Sequence, residues 1–234
     1  MSKIQHVAII PDGNRRWAKK QNLPSFMGHQ EGAKIAEKIL NHALTLKIPY
    51  LTFWGASIDN VTKRDKVETD FLFKLFEDYF KKIIQNKEVH EHEVGINVFG
   101  KWKDYFPKSC QDAIEDAIEK TKNYHKYHLT FLLAYSGIEE MTEAVKNIAK
   151  LSRENSNINI TPELIKSNLY TKQVPPVDLV IRTGGEPHFS TGFMMWDVAD
   201  AHFYFTETFY PDFSTEEFSK AIEEFESRER RLGK

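Results

Sequence analysis

The stretch His6-Val7-Ala8-Ile9-Ile10-Pro11-Asp12-Gly13-Asn14-Arg15-Arg16-Trp17 contains the pattern that decides the fold. The apolar run over 7–10 predicts a buried strand, and the Pro-Asp-Gly-Asn segment predicts a turn into a helix. The two arginines then fall in the first helical turn, where cations oppose the helix macrodipole and a bound anion would relieve the conflict. Free backbone N–H groups at the same helix end also favour a phosphate. The stretch therefore predicts either an anion site or a plain turn in which Asp12 caps the helix.

Asp12 carries a second implication for this site. A carboxylate and a phosphate repel each other unless a cation joins them, and hard oxygen ligands of this kind suit Mg²⁺. Asp12 is therefore a candidate metal ligand beside the expected anion site.

Length and composition limit the class of protein. The chain has 234 residues, 41% of them hydrophobic and 28% charged, and no Gly/Ser/Pro-rich linker divides it, so we expect one domain over 1–234. The formal net charge of −2 argues against a nucleic-acid binder that works by bulk charge. A lone cysteine, Cys110, excludes an intrachain disulfide and fits a reducing compartment. Pro11 ends the first apolar run too early for a signal peptide, and no apolar run approaches the span of a bilayer, so we expect a soluble, cytoplasmic protein.

Apolar strands alternate with amphipathic helices along the chain. Strands are predicted at 7–10, 50–56, 96–99, 129–135, 178–181 and 202–205, and the longer helices at 28–46, 68–84, 109–121 and 139–151, with a last helix opened by a capping box at 214–217. This order predicts an α/β fold with a mostly parallel six-stranded sheet covered by helices on both faces. Ligands of such sheets bind beyond the carboxyl ends of the strands, so we expect the polar segments 12–17, 57–60 and 182–186 to share one edge.

Several familiar chemistries lack their motifs here. The chain has no P-loop, no Gly-x-Gly-x-x-Gly after the first strand and no Asp-Asp-x-x-Asp cluster. The segment 90–92, His-Glu-His, is interpreted as a solvated loop rather than a zinc site. Anion binding is thus left to arginines, backbone amides and Asp12.

The segment 6–17 with Gly28-His29, the segment 57–60, and Arg-Thr-Gly-Gly-Glu at 182–186 ahead of Ser190 together resemble the cis-prenyltransferases, and the bacterial undecaprenyl diphosphate synthases most closely. The resemblance spans nearly the whole chain in order and spacing. It implies an enzyme, usually a homodimer, that requires Mg²⁺ and condenses isopentenyl diphosphate onto an allylic diphosphate such as farnesyl diphosphate. It also implies a single domain with an apolar tunnel, walled by the Phe-rich helix 68–84. The expected product is a medium-chain polyprenyl diphosphate, precursor of a cell-wall lipid carrier.

The resemblance also implies roles for individual residues. Asp12 handles Mg²⁺ and the allylic diphosphate, and Asn60 occupies the position assigned to proton removal or its relay. The allylic diphosphate is expected on residues of the first two helices: Gly13, Asn14, Arg15, Arg16, Trp17, Ser25 and His29. Further substrate-binding positions follow the second strand: Ser57, Ile58, Asp59, Val61 and Arg64.

The isopentenyl diphosphate is expected on Arg182, His188 and Ser190. Arg231 and Gly233 match a terminal motif that reaches the phosphates of the partner subunit. Beyond these two substrates and a second copy of the chain, we expect no nucleic acid and at most a peripheral membrane contact during product release.

The chain departs from the family pattern at several of these positions. Ser25 and His188 stand where arginines are usual, Asp59 replaces a glutamate, and Val61 replaces a tryptophan. His202 stands where a glutamate completes the magnesium site across the dimer, although imidazole suits Mg²⁺ poorly and Asp197 or Asp200 are alternatives. These departures keep open a second hypothesis, a non-catalytic subunit that depends on a partner chain.

Other readings also stay open from the residues alone. Arg182 can pair structurally with Glu186 instead of binding a ligand. Phe71, Phe76 and Phe80 fit a plain core as well as a tunnel wall.

Overall fold

A computed structural model describes residues 4–155 and 157–227 of the chain. Its six-stranded sheet has the order β3-β4-β2-β1-β5-β6, and every pair of neighbours is parallel. The strands are β1 His6–Ile10, β2 Tyr50–Trp54, β3 Val94–Phe99, β4 Tyr127–Leu132, β5 Leu179–Arg182 and β6 His202–Phe205. The predicted α/β fold is confirmed, and β1 lies between β2 and β5, so its turn occupies the middle of the sheet's carboxyl edge.

Helices connect the strands. They are α1 Asn14–Lys20, α2 Ser25–Thr45, α3 Ile58–Thr62, α4 Lys66–Ile83, α5 Lys87–Glu91, α6 Trp102–Tyr105, α7 Lys108–Thr121, α8 Gly137–Glu154, α9 Pro162–Ser167 and α10 Thr215–Ser227, with a 3₁₀ turn at Tyr210–Asp212. In the described residues, no helix combines the length and the apolarity needed to cross a membrane.

Both faces of the sheet are buried. Along β1, Val7 and Ile9 point into the larger apolar cluster with α2, α4, α7 and α10, whereas Ala8 and Ile10 point into the smaller one. This two-residue alternation with apolar side chains on both sides explains why the strand reads as a continuous apolar run.

The structure corrects several boundaries. The strands predicted at 50–56 and 129–135 end at Trp54 and Leu132, because the N–H groups of both Gly55 and Ala56 turn to the Leu132 carbonyl and end the ladder. The predicted polar loop at 57–60 is the start of α3, and the predicted loop at 90–92 lies at the end of α5.

Two predicted helix caps also differ. Gly13, with φ of 99°, occupies the N-cap of α1, so the interpretation of Asp12 as a side-chain cap is wrong. In the capping box at 214–217, Ser214 Oγ accepts from the Glu217 N–H at 3.2 Å. The Glu217 carboxylate is instead engaged by the hydroxyls of Thr206 and Thr208.

Helices α1 and α2 pack closely against each other where Gly28 of α2 meets Asn14 of α1. A Cβ at Gly28 would lie 1.9 Å from the carbonyl oxygen of Asn14, so only glycine fits at this crossing. The crossing fixes the start of α2, and with it His29, against the turn that follows β1.

His6 makes the sheet sensitive to acid. The ring is fully buried on β1, its Nδ1 lies 2.9 Å from the Pro175 carbonyl oxygen and its Nε2 lies 2.8 Å from Thr52 Oγ1. Burial lowers the pKa of His6 to about 4, so between pH 6.5 and about 4 the unfolded chain binds a proton that the folded chain excludes.

We therefore expect His6 to remove about 3 kcal/mol from the free energy of unfolding as pH falls through this window. Urea unfolding at pH 7.5 and pH 4.5 measures the loss. The His6→Gln variant should lose less between the two pH values than the wild type, and an equal loss would contradict the assignment.

Candidate active site

A cavity of about 880 Å³ opens at the carboxyl edge of the sheet. The predicted meeting of three polar segments is confirmed there, since Asp12 after β1, Ser57 after β2 and Arg182 at the end of β5 all line it. Parallel pairing of Ile10 with Arg182 brings the first and last of these together although they are 170 residues apart.

Asp12 is held by two arginines and a backbone amide. Arg182 Nη2 donates to Oδ2 at 3.0 Å, Arg16 Nη2 donates to Oδ1 at 3.2 Å, and the Gly13 N–H donates to Oδ1 at 2.6 Å. The carboxylate thus joins the start of α1 to the end of β5, and fixes the direction of both guanidinium groups.

The surroundings of Arg182 favour the binding of an anion next to its guanidinium group. Its side chain is 5% exposed, Nη1 donates to the His188 carbonyl at 2.6 Å, and its Nε has no partner among the described residues although it is buried. A buried donor without an acceptor costs free energy that a bound phosphate oxygen would recover. The alternative pairing with Glu186 is wrong for Arg182, because Glu186 lies 3.4 Å from Arg16 Nη1 instead.

Glu68, a buried acid, contacts three more basic side chains that line the cavity. Glu68 Oε1 accepts from Arg64 Nη1 at 2.8 Å and lies 3.5 Å from both Arg15 Nε and His29 Nε2. Its side chain is only 6% exposed. His29, then Arg64 and Arg15, lower the pKa of Glu68, which therefore stays ionised at neutral pH.

His29 is neutral in this cluster. Burial lowers the pKa of the ring below its ordinary value, and Nε2 lies 3.1 Å from Arg64 Nη1. Two arginines therefore remain against one carboxylate, and the cluster keeps a net positive charge facing the cavity.

Ser57 and Asn60 form a reciprocal cap at the start of α3. Ser57 Oγ accepts from the Asn60 N–H at 3.1 Å, and Asn60 Oδ1 accepts from the Ser57 N–H at 3.2 Å. The cap fixes both side chains at the cavity wall, and neither could be recognised as a helix start from the loop-like sequence alone.

Most of the predicted site residues meet in one place. The residues that line the cavity are Asp12, Gly13, Asn14, Arg15, Arg16, Ser25, His29, Ser57, Asn60, Arg64, Arg182 and Ser190. Arg231 and Gly233 lie outside the described residues.

Other predicted residues lie outside the lining. Trp17 turns away and donates its Nε1–H to Asp212 at 2.7 Å, Asp59 pairs with Lys63, and Val61 packs on the core. Ile58 is the first residue of α3 beyond the capping serine. His188 contributes its carbonyl, not its ring, to Arg182.

His202 lies at the other end of the sheet. It pairs with Leu179 at the start of β6, whereas the cavity lies beyond Arg182 at the end of β5. Its ring packs edge-on against Phe225 with centroids 5.2 Å apart. Within one chain, His202 therefore cannot share a metal ion with Asp12.

Sequence reasoning missed part of the lining: Lys19, Asn22, Leu23, Pro24, Trp54 and Gly55. Lys19 could have been found, because it follows Arg15 by four residues and so lies on the same face of α1. The turn after α1 could not have been found from the sequence, because its position depends on the packing of α1 against α2.

The donor set fits Mg²⁺ only together with a substrate. No group of three or more His, Cys, Asp or Glu side chains suited to a metal ion occurs in the described residues. Among the described residues that line the cavity, Asp12 is the only one with a carboxylate side chain. Mg²⁺ is commonly bound by one or two carboxylates plus substrate phosphates and water, and Asp12 suits that arrangement.

A second cavity of about 90 Å³ adjoins the first and is apolar. Pro11, Asn14, His29 and Gly55 line both cavities. Its remaining walls come from α2, α4, β2, β4 and the 3₁₀ turn: Gly32, Ala33, Ala36, Phe53, Leu72, Leu75, Phe76, Tyr79, Phe131 and Tyr210.

Three of the four phenylalanines of α4 have separate positions. Phe76 faces the apolar cavity, Phe80 is fully buried in the core, and Phe71 packs on Phe26 with centroids 4.6 Å apart. The Phe-rich helix is thus both core and cavity wall.

A parallel sheet with a cation-rich cavity beside an apolar one defines a protein that binds an anionic group carrying an apolar tail. A family model described as putative undecaprenyl diphosphate synthase matches residues 10–233. The chain belongs to this family, the cis-prenyltransferases, and is an enzyme that transfers prenyl groups.

Individual relatives agree with the family. A tritrans,polycis-undecaprenyl-diphosphate synthase (geranylgeranyl-diphosphate specific) of Pyrococcus horikoshii is 42% identical over 98% of this chain and 87% of its own length. An isoprenyl transferase of Aquifex pyrophilus is 39% identical over 98% of this chain and 96% of its own length. The structure of lavandulyl diphosphate synthase from Lavandula x intermedia, in complex with dimethylallyl diphosphate, superposes with a TM-score of 0.92, 32% identity and 99% coverage of both chains.

The unpartnered Nε of Arg182 leads to a direct binding test. We expect Arg182→Gln to weaken binding of inorganic diphosphate at least about tenfold, because a charge-assisted hydrogen bond contributes about 1.5–3 kcal/mol. Isothermal titration calorimetry measures the dissociation constant. Arg153→Gln, the same charge change on the exposed surface of α8, should stay within about twofold of the wild type. Equal weakening in both variants would show that net charge alone governs binding.

Proposed function

We propose that this enzyme condenses isopentenyl diphosphate units onto an allylic diphosphate primer and releases a medium-chain polyprenyl diphosphate, the precursor of a lipid carrier. The observation that carries the proposal is that Asp12 orients Arg16 and Arg182 in a cavity that also contains a second cationic group, Arg15 and Arg64, with an apolar cavity alongside.

The two cationic groups suit two diphosphates. The side with Arg15, Arg64 and His29 adjoins the apolar cavity, so an allylic diphosphate placed there can extend its tail between α2 and α4. The side with Arg182 and Ser190 includes the contact with Asp12 and is left for isopentenyl diphosphate. The two substrates then meet near the carboxylate.

Ionisation of the allylic diphosphate develops negative charge on the leaving group. Arg15 and Arg64, already oriented by Glu68, donate to those oxygens without reorganisation during the reaction. A bound Mg²⁺ would be held by Asp12 and would supply further stabilisation of the diphosphate charge. A diphosphate that draws Arg16 and Arg182 to itself frees the Asp12 oxygens that these arginines occupy.

The condensation also releases a proton. Asn60 cannot accept one at neutral pH, because an amide is not basic, but it fixes Ser57 at the cavity wall through the reciprocal cap. The Ser57–Asn60 pair is therefore assigned to guiding the proton towards the departing diphosphate rather than to holding it.

The apolar cavity bears on primer and product. Its apolar walls suit part of a prenyl tail, whether that of a farnesyl-type primer or that of the longer primer in the printed name of the Pyrococcus horikoshii relative. Each additional buried CH₂ contributes about 0.8 kcal/mol, so growth into this space is favourable until aromatic side chains obstruct it.

Assembly and location complete the proposal. Phe189 and Phe205 are 42% and 41% exposed, and Phe205 lies on β6 at an edge of the sheet, which supports a homodimer. The buried, unbridged Cys110 supports a reducing cytoplasmic compartment, with peripheral membrane contact when the apolar product leaves.

The proposal is tested with purified chain, Mg²⁺, labelled isopentenyl diphosphate and either farnesyl or geranylgeranyl diphosphate. We expect products longer than the primer. Asp12→Asn should lower kcat at least about 100-fold, because it removes the carboxylate charge at the junction of the two cationic groups.

The matched control is Asp116→Asn, the same change in an exposed ion pair of α7, which should keep wild-type turnover. An inactive wild-type chain that gains activity with a second protein would instead support the partner-dependent subunit. Near wild-type turnover in Asp12→Asn would refute the role of Asp12.

Product length is tested at the wall of the apolar cavity. Phe76→Ala removes an aromatic ring from the lining, so we expect a product distribution shifted by one or more isoprene units towards longer chains. Mass spectrometry of the products measures the shift. Phe73→Ala on the same helix should leave the distribution unchanged, because its ring also packs on Phe106 but does not line the cavity. An identical shift in both variants would point to general loosening of α4.

A further inference from the structure

The segment that carries Ser190 has an unfavourable backbone. Thr191, Gly192 and Met194 have φ angles of 43°, 66° and 42°. For the two residues that are not glycine, this left-handed region costs free energy and persists only where the surroundings enforce it. Some other part of the molecule must therefore hold this segment in place.

Three contacts at the end of β4 and the start of α8 do so. The Gly137 N–H donates to the Thr191 carbonyl at 3.1 Å, and the Ser136 hydroxyl reaches the same carbonyl at 3.3 Å. The Met194 N–H donates to the Tyr135 hydroxyl oxygen at 3.2 Å.

Tyr135 is itself anchored by a buried acid. It is fully buried, and its hydroxyl donates to Glu140 Oε2 at 2.5 Å. Since the hydroxyl has a single hydrogen, which goes to Glu140, the lone pairs of its oxygen are directed to the Met194 amide. Glu140 thereby orients the Tyr135 hydroxyl so that its oxygen accepts from the Met194 N–H.

Glu140 belongs to a longer buried network. The Thr171 N–H donates to Glu140 Oε1 at 3.0 Å, and the Thr171 hydroxyl lies 3.1 Å from Glu140 Oε1 and 2.6 Å from Asp197 Oδ2. Asp197, at the far end of the segment, also pairs with Lys166. The network thus holds the segment at Met194 and at Asp197, while Ser136 and Gly137 hold Thr191 beside Ser190.

The Thr171 hydroxyl lies between the two carboxyl groups and links them. Burial raises the pKa of both Glu140 and Asp197, and Lys166 favours the charged form of Asp197.

This network lies outside the machinery described above, because none of its side chains lines either cavity. It reaches the cavity through Ser190, and also adjoins the loop whose His188 carbonyl orients Arg182. Its effect should therefore be confined to the diphosphate on this side.

We propose that the Tyr135 hydroxyl, set by Glu140, is a positioning group that holds Ser190 in the isopentenyl diphosphate subsite. The inference rests on the proposed function for the identity of that ligand. Tyr135 does not touch the substrate, and acts through the backbone at Met194.

The test is Tyr135→Phe, which removes one oxygen atom and leaves the ring. We expect the KM for isopentenyl diphosphate to rise at least tenfold, with the KM for the allylic primer within twofold of the wild type. Hydrogen–deuterium exchange should become faster in residues 189–197 and stay unchanged around α1 and α3. The matched control is Tyr124→Phe, whose hydroxyl is hydrogen-bonded to His90 at the opposite edge of the sheet and should alter neither readout.

Each outcome is decisive. Equal changes in both KM values, or no change in either, would overturn the positioning role, as would unchanged exchange in residues 189–197. A wild-type chain without condensation activity would refute the proposed function, while the exchange experiment would still test the positioning of the segment. If Tyr135→Phe does not fold, Thr171→Val breaks the same network without touching the Met194 amide, and the same KM split and exchange pattern are expected.

Discussion

The ion pair between Asp12 and Arg182 is the contact on which the site depends. The two residues are 170 positions apart, and they meet at 3.0 Å because β1 and β5 are neighbours in a parallel sheet. A buried guanidinium needs a nearby anion, and the carboxylate supplies it until a phosphate does. The same carboxylate also orients Arg16 at the start of α1. One acid thus sets the directions of cations on two separate elements, which is the arrangement that a transferase of diphosphate-bearing substrates requires.

Glu68 orients a second set of basic side chains in the cavity. A buried carboxylate is costly to desolvate, and here the cost is offset by Arg15, Arg64 and His29 around it. The cluster is preorganised, because these side chains are held by each other and by the close crossing of α1 and α2 at Gly28 rather than by the ligand. The two arginines outnumber the one carboxylate, so the cluster keeps a net positive charge for a diphosphate, and its neutral His29 also lines the apolar cavity.

The residues of the site are therefore held in place by different kinds of contact. The Ser57–Asn60 pair is fixed by a helix cap, and the arginines are oriented by the half-buried Asp12 and the buried Glu68. The Ser190 segment has a strained backbone and is held by a buried network of hydroxyl and carboxyl groups. The aromatic side chains of α4 are divided between the core and the wall of the apolar cavity.

The sequence by itself determined the parallel α/β fold and the edge at which the polar segments meet. Both follow from local periodicity and from the rule that parallel strands end on the same side. It also pointed to Asp12, Arg16 and Arg182 as members of one site. It could not show that Trp17 turns to Asp212, that Gly13 rather than Asp12 caps α1, or that His202 lies at the far end of the sheet. Those positions depend on the packing of side chains and on register between distant strands, which no local pattern encodes. The Glu68 cluster and the Tyr135 network were hidden for the same reason, since their members are spread over several elements and only the tertiary structure brings them into contact.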